Sequence, residues 1–130
     1  SYYQCAIMEI ETKFRVLNQE YSLSYDQNPI EGIKTRSNRM EHYAENPRER
    51  HPGHTGVYRG KYPRYRRCAC DLFFPSDIYK LADSFLKQDD ITLIERKDYI
   101  QHPKESGYRS LHLIVQVPIF LQDTKKLVYV

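Results

Sequence analysis

Long apolar runs are missing from this 130-residue chain, and so is any excess of cysteine. Mean hydropathy is -0.74, and no stretch approaches the roughly 20 consecutive apolar residues a membrane-crossing helix needs. The expectation is therefore a soluble chain with no membrane partner. No basic region followed by an apolar stretch opens the sequence, so no signal peptide is expected. Cys5, Cys68 and Cys70 are too few, and odd in number, for a disulfide framework, which suits a reducing cytoplasm. Cys68-x-Cys70 is a poor zinc spacing, even with His51 and His54 nearby. A strong charge bias is lacking too. Twenty Lys and Arg against seventeen Asp and Glu leave +3, compatible with anionic nucleotides but not by itself an argument for nucleic acid. The length allows one domain with a real core.

Periodicity supplies the elements. Ile10, Phe14, Leu17 and Tyr21 follow 4-3-4 spacing and predict a helix from about Tyr3 to Tyr21, with a polar break over Leu23 to Pro29. A second helix is expected from Ser76, with Pro75 and Ser76 at its start and Asp77 complementing the helix dipole. Its apolar stripe is Ile78, Leu81, Ala82, Phe85 and Leu86. Ile91 to Ile94, Ser110 to Val117 and Leu127 to Val130 read as strands. Helices mixed with strands predict an α/β or α+β layered fold. Ile78, Leu81, Phe85, Leu111, Leu113, Val115 and Val117 are the expected core.

The most specific signal is Lys97-Asp98-Tyr99-Ile100-Gln101-His102-Pro103-Lys104-Glu105-Ser106-Gly107-Tyr108-Arg109-Ser110-Leu111-His112, a polar loop running into a strand. Leu111, Leu113, Val115 and Val117 alternate on one face, and Tyr108, Ser110 and His112 line the other. An aromatic ring, a hydroxyl and an imidazole beside lysines suit a flat anionic ligand, with the ring stacking on a base and the lysines meeting phosphates. An edge strand with one wet face would carry the same alternation.

Asn38 to about Leu72 shows neither helical nor strand periodicity. It is rich in Arg, His, Pro, Gly and Tyr, and Tyr58-Arg59-Gly60-Lys61-Tyr62-Pro63-Arg64-Tyr65-Arg66-Arg67 has the look of a basic, aromatic-interleaved RNA-binding segment. A structureless insert of this length is unusual inside a compact domain.

The Lys97–His112 motif, followed by Val-Pro-Ile-Phe-Leu, resembles the guanine-nucleotide loop and strand of RelA/SpoT-type alarmone synthetases, in particular the small, synthetase-only GTP pyrophosphokinases. The resemblance extends upstream through Phe74 to Asp83 and Lys87 to Ile91, and more loosely through Asn28 to Arg36. It implies a nucleotidyltransferase-like domain, a mixed β-sheet flanked by helices, spanning residues 1–130. It also implies transfer of pyrophosphate from ATP to the 3′-hydroxyl of GTP or GDP, with Mg²⁺ as cofactor. By the same resemblance Tyr108 stacks on guanine, Lys97 and Lys104 meet GTP phosphates, and His112 lines the pocket. Arg36 would contact ATP phosphates, and a homo-oligomer is allowed. Ser106 stands where the family usually has Asn, which puts one guanine contact in doubt.

Two family motifs expected between Arg36 and Phe74, R-x-K-x-x-x-S-I and D-I-A-G-x-R, are not written in residues 38–72. A compensated frameshift would account for this, since codons for Arg64 to Cys70, read one base later, can encode D-I-A-G-V-R-V; the other reading is a diverged, genuinely basic loop. No metal-binding aspartate is therefore present as written. The catalytic glutamate, expected in an E-I-Q-I-R-T motif, would fall beyond Val130, so the domain is read as C-terminally incomplete. No His-Asp dipeptide occurs, so the family's hydrolase half is not expected. The resulting expectation is a synthetase copy inactive as written. The alternatives are a non-catalytic guanine-nucleotide or RNA-binding descendant, RNA entering only if the basic segment is genuine, or a toxic relative that pyrophosphorylates tRNA.

Overall fold

In the computed structural model, residues 2–25, 27–36 and 67–130 are described. Most of the anomalous basic segment, including His42, His51, His54 and Tyr58 to Arg66, lies outside them. The described elements run α1 (Tyr2–Tyr25), β1 (Ile30–Arg36), β2 (Arg67–Leu72), α2 (Pro75–Leu86), β3 (Thr92–Asp98), β4 (Leu111–Phe120) and β5 (Lys125–Tyr129). The class is α+β. Both described sheets are antiparallel, one ordered β1-β2 and the other β3-β4-β5.

α1 carries an apolar stripe of Ala6, Ile7, Ile10 and Leu17, extended by the partly buried Tyr3, Phe14 and Tyr21. The three-and-four spacing puts these on one side of the helix. The expected break at Leu23 does not occur, and the helix continues to Tyr25 although Leu23 is 80% exposed. Tyr21 and Tyr25, one turn apart, stack with ring centroids 5.7 Å apart, and the Lys80 ammonium lies 5.0 Å from the Tyr25 ring. Such i,i+4 contacts carry the extra turn without burial. The chain then turns back, and the Ile30 N–H donates to Asn18 Oδ1 of α1 at 3.0 Å.

α2 starts one residue earlier than the sequence suggests. Pro75 occupies the first turn, where a missing N–H costs nothing, and Phe74 caps without a side-chain bond. Phe85 is 2% exposed and stacks on Phe14 at 4.5 Å. At the far end Lys13 Nζ reaches Gln88 Oε1 at 2.8 Å and Asp90 Oδ2 at 2.8 Å. Tyr21 and Ser84 hydroxyls share a 2.8 Å hydrogen bond. α1 and α2 are thus fastened by the stack of buried Phe85 on partly buried Phe14, with polar contacts on either side.

β4 is the spine of the larger sheet. Val115, Val117 and Ile119 are buried, while Leu111 and Leu113 nearer the loop are half-buried. Ile78, also expected in the core, is half-buried on α2. Val128 and Val130 add to the same core, and Val115 and Val130 exchange both backbone hydrogen bonds at 2.9 Å. β3 extends to Asp98, beyond the expected Ile94, and therefore carries Lys97 in the strand rather than in the loop. β5 begins at Lys125, two residues before the expected start.

The reading of Asn38 to Leu72 as lacking strand character is corrected over its last six residues. Arg67–Leu72 forms β2, paired with β1 from Arg36 opposite Arg67 to Ile30 opposite Leu72. Cys68, Cys70 and Leu72 are half-covered while Arg67, Ala69 and Asp71 face out, which is the period-2 alternation of a half-buried strand. All three cysteines are free.

Candidate nucleotide site

The β3–β4 connection gathers the candidate residues at one end of the larger sheet. Lys97 stands opposite His112 in the ladder. Tyr108, 45% exposed, lies before β4 begins rather than on it, yet its hydroxyl reaches His112 Nε2 at 2.7 Å. Either partner donates, according to the imidazole tautomer. Tyr99 completes an aromatic cluster. Its ring meets His112 edge-on at 5.2 Å and Tyr108 at 6.1 Å, and Tyr108 meets His112 at 5.7 Å. The Lys104 ammonium sits 4.6 Å from the Tyr99 ring centroid and 5.4 Å from that of Tyr108, within cation–π range of both.

The loop is shaped by its backbone. The Tyr99 N–H donates to Ser110 O at 2.8 Å and closes the neck, so Ser110 serves there through its carbonyl. The Gly107 N–H donates to Lys104 O at 2.8 Å, and the Lys104 N–H to Tyr108 O at 3.2 Å. Gly107 has φ +83°, a conformation that costs glycine little and other residues much. This turn brings Lys104 and Tyr108 to the same side. Ser106 is exposed at its tip.

The charges that shift the His112 imidazole are positive. Burial holds its pKa below the ordinary imidazole value, and the positive charges of Arg67, Lys104 and Lys97 push it the same way. The imidazole is therefore neutral at neutral pH, and cations surround it. Lys97 Nζ also lies 3.7 Å from Glu95 Oε1. Arg67 belongs to β2, so the smaller sheet contributes a cation to the site. Its register partner is Arg36, which places the Arg36 backbone at the same end of the β1–β2 ladder; the Arg36 side chain lies outside the described ones.

Four participants were not named as site residues from sequence: Tyr99, Arg67, Asp98 and Tyr79. Tyr99 and Asp98 stand inside the Lys97–His112 motif and were open to notice there. Arg67 was hidden in the basic segment, and Tyr79 lies on α2. Among the described residues no three His, Cys, Asp or Glu side chains come together to hold a metal; Mg²⁺, which needs only one or two carboxylates beside water and phosphate oxygens, stays an expectation of the resemblance. Asp98, the nearby carboxylate, already accepts the Tyr79 hydroxyl and two backbone N–H groups.

The segment that carries this cluster lies within a region shared with known proteins. Residues 67–129 match the family described as a region found in RelA / SpoT proteins. GTP pyrophosphokinase YwaC of Bacillus subtilis (strain 168) is 35% identical over 129 residues, covering 93% of this chain and 58% of that protein. Over residues 67–129 the chain carries the RelA/SpoT region, and the proteins it resembles along its length are of the small alarmone synthetase type. GTP pyrophosphokinase YjbM of the same organism is 28% identical, over 90% of this chain and 54% of its own length. The crystal structure of B. subtilis small alarmone synthetase 2 superposes with a TM-score of 0.76 at 30% identity, covering 98% of this chain and 65% of that one. Small alarmone synthetase 1, bound to its product pppGpp, gives 0.76 at 26% identity, covering 98% and 66%. The nucleotidyltransferase-like fold expected of the RelA/SpoT resemblance is thereby found. The chain spans between half and two thirds of the length of these relatives.

Proposed function

We propose that this chain is the nucleotide-binding core of a GTP pyrophosphokinase, an enzyme that transfers the β,γ-pyrophosphate of ATP to the 3′-hydroxyl of GTP or GDP in alarmone signalling. The observation that carries the reading is the Tyr99, Tyr108 and His112 cluster, with Lys97, Lys104 and Arg67 around it. A guanine base is flat and stacks on Tyr108, and the lysines meet its phosphates. Lys104 lies over the Tyr99 and Tyr108 rings. Swinging the ammonium from the ring faces to a phosphate frees a face for the base. His112, neutral and bonded to the Tyr108 hydroxyl, fixes the ring that does the stacking. Arg36 and Arg67, at the adjoining end of the smaller sheet, are suited to the second nucleotide's phosphates. Free cysteines and the lack, among the described residues, of any helix long and apolar enough to cross a membrane are compatible with a cytoplasmic enzyme.

Calorimetric titration of GTP and GDP tests this. The unaltered chain should bind, and Tyr108→Ala should weaken binding by about 1–3 kcal/mol, the usual worth of a base stacked on an aromatic ring. Equal affinity before and after the substitution rules out the stacking role.

The written chain is also proposed to make no product on its own, because the aspartate of the D-I-A-G-x-R motif is not written in residues 38–72. Neutralisation of the polyphosphate would then be incomplete. Labelled ppGpp formed from ATP and GDP by the purified chain contradicts this. Sequencing the gene tests the shifted-frame reading of the segment, which an in-frame gene for these residues removes.

A further inference from the structure

We propose that Tyr79 and Asp98 form a latch that positions the nucleotide loop, Asp98 holding the loop's first turn and Tyr79 of α2 holding Asp98. The inference rests on the nucleotide reading of the site and extends it to two residues outside the ring cluster of Tyr99, Tyr108 and His112.

Asp98 is the last residue of β3, and its two carboxylate oxygens divide their work. Oδ1 accepts the N–H groups of Ile100 and Gln101, both at 2.9 Å, which fixes the backbone on the far side of Tyr99. Oδ2 accepts the Tyr79 hydroxyl at 2.7 Å. The Asp98 carbonyl accepts a further N–H from His102 at 3.2 Å. An aspartate bonded to N–H groups two and three residues on is an Asx turn, which supplies the backbone groups leaving a strand with partners. Here it decides where Tyr99 points. With Asp98 bound on one side, Ile100 and Gln101 on the other and its own N–H on Ser110, Tyr99 has little backbone freedom left, and its ring is set edge-on to His112. Lys104 and Tyr108 follow on the same loop.

Tyr79 connects this turn to the body of the protein. It lies on α2, whose Leu81 and Phe85 are buried in the core, so the hydroxyl is presented from a rigid element. Its ring also lies under the Arg96 guanidinium, 5.7 Å away. The backbone N–H groups, Tyr79 and Arg96 all favour the charged carboxylate, and Asp98 titrates below the ordinary carboxylate range. The latch therefore stays closed through the ordinary carboxylate range and opens only as pH falls through that lowered value.

GDP titration and backbone amide exchange on the same variants test the latch. Tyr79→Phe keeps the ring and removes one hydrogen bond, and should weaken GDP binding about two- to tenfold, the usual effect of one lost hydrogen bond. Asp98→Ala should weaken it more, and Asp98→Asn, which keeps an acceptor for Ile100 and Gln101, should recover part of the loss. Adding Tyr79→Phe to Asp98→Ala should cost nothing further, because Tyr79 acts only through Asp98. Exchange should rise at Ile100 and Gln101 while Val115 and Val117 stay protected, a pattern that general loss of stability does not produce. Additive effects of the two substitutions, or unchanged exchange at Ile100 and Gln101 in Asp98→Ala, would overturn the latch. If the unaltered chain binds no GDP, the nucleotide reading has failed and the positioning role falls with it; if it binds GDP and all latch variants bind equally, only the latch has failed.

Discussion

The two faces of β4 are made from one run of residues and do opposite things. On the inner face Val115, Val117 and Ile119 are buried against α1, α2 and β5, and Val117 is fully covered. On the outer face His112 is half-buried, ringed by cations and bonded to an exposed tyrosine. The inner face gains by excluding water from apolar area. The outer face keeps aromatic and charged groups in reach of solvent, where a ligand could replace the water. A pleated strand permits this because neighbouring side chains point to opposite sides. The contrast teaches that stability and binding should separate when one face is altered at a time.

The largest effect should come from the core. Phe85→Ala removes one ring of the Phe14–Phe85 stack, and a cavity of that kind costs about 3–5 kcal/mol. Urea denaturation should show that loss, while GDP affinity of the folded fraction stays as it was. A direct change in the affinity of folded molecules would break the separation of the two faces.

Tyr108→Ala should do the reverse. Its thermal midpoint should stay close to that of the unaltered chain, since the side chain is 45% exposed, while binding falls as proposed above. A lowered midpoint by differential scanning calorimetry would place Tyr108 among the structural residues.

Smaller still is Lys13→Ala. The Lys13–Asp90 pair is partly exposed, at 20% and 41% for the two side chains, and pairs of this kind contribute about 0.2–1 kcal/mol. Urea denaturation at low and high salt should show a modest loss that salt reduces. No salt dependence would assign the effect to packing of the lysine stem.

The last effect is one of pH. The His112 pKa is lowered in the fold by burial and by Arg67, Lys104 and Lys97. The unfolded chain therefore binds a proton more readily than the folded one. The stability linked to His112 is fully present above the ordinary imidazole pKa of about 6.5 and is lost as pH falls toward the lowered value. An NMR titration of the His112 ring should give a midpoint below the ordinary imidazole value of about 6.5. A midpoint above that value would mean that the cations do not face the imidazole.

The two regions also differed in how plainly the sequence announced them. β4 and α2 were legible because their apolar residues repeat at 2 and at three or four residues over many positions. The β3–β4 loop was legible through its motif, which named Lys97, Lys104, Tyr108 and His112, and the structure brings all four together. β2 was not. Its alternation of Cys68, Cys70 and Leu72 is short, uses cysteines as apolar residues, and follows an arginine-rich stretch. Its partner β1 lies about thirty residues upstream, and pairing over such a distance leaves no local trace. The extra turn of α1 rests on Tyr21 stacking on Tyr25, a side-chain contact that periodicity does not report. The Tyr79–Asp98 bond joins residues nineteen positions apart and appears only once α2 is packed beside β3.

The account's central claim is that the outer end of β4 and its loop bind a guanine nucleotide while the inner face serves only the fold. A GDP titration of isotopically labelled chain followed by NMR tests it most directly. The predicted result is saturable movement of the Tyr99, Tyr108 and His112 ring signals and of the Lys104 amide, with the Val117 and Phe85 side chains still. Movement spread evenly over both faces, or none at the three rings with GDP bound elsewhere, would contradict it.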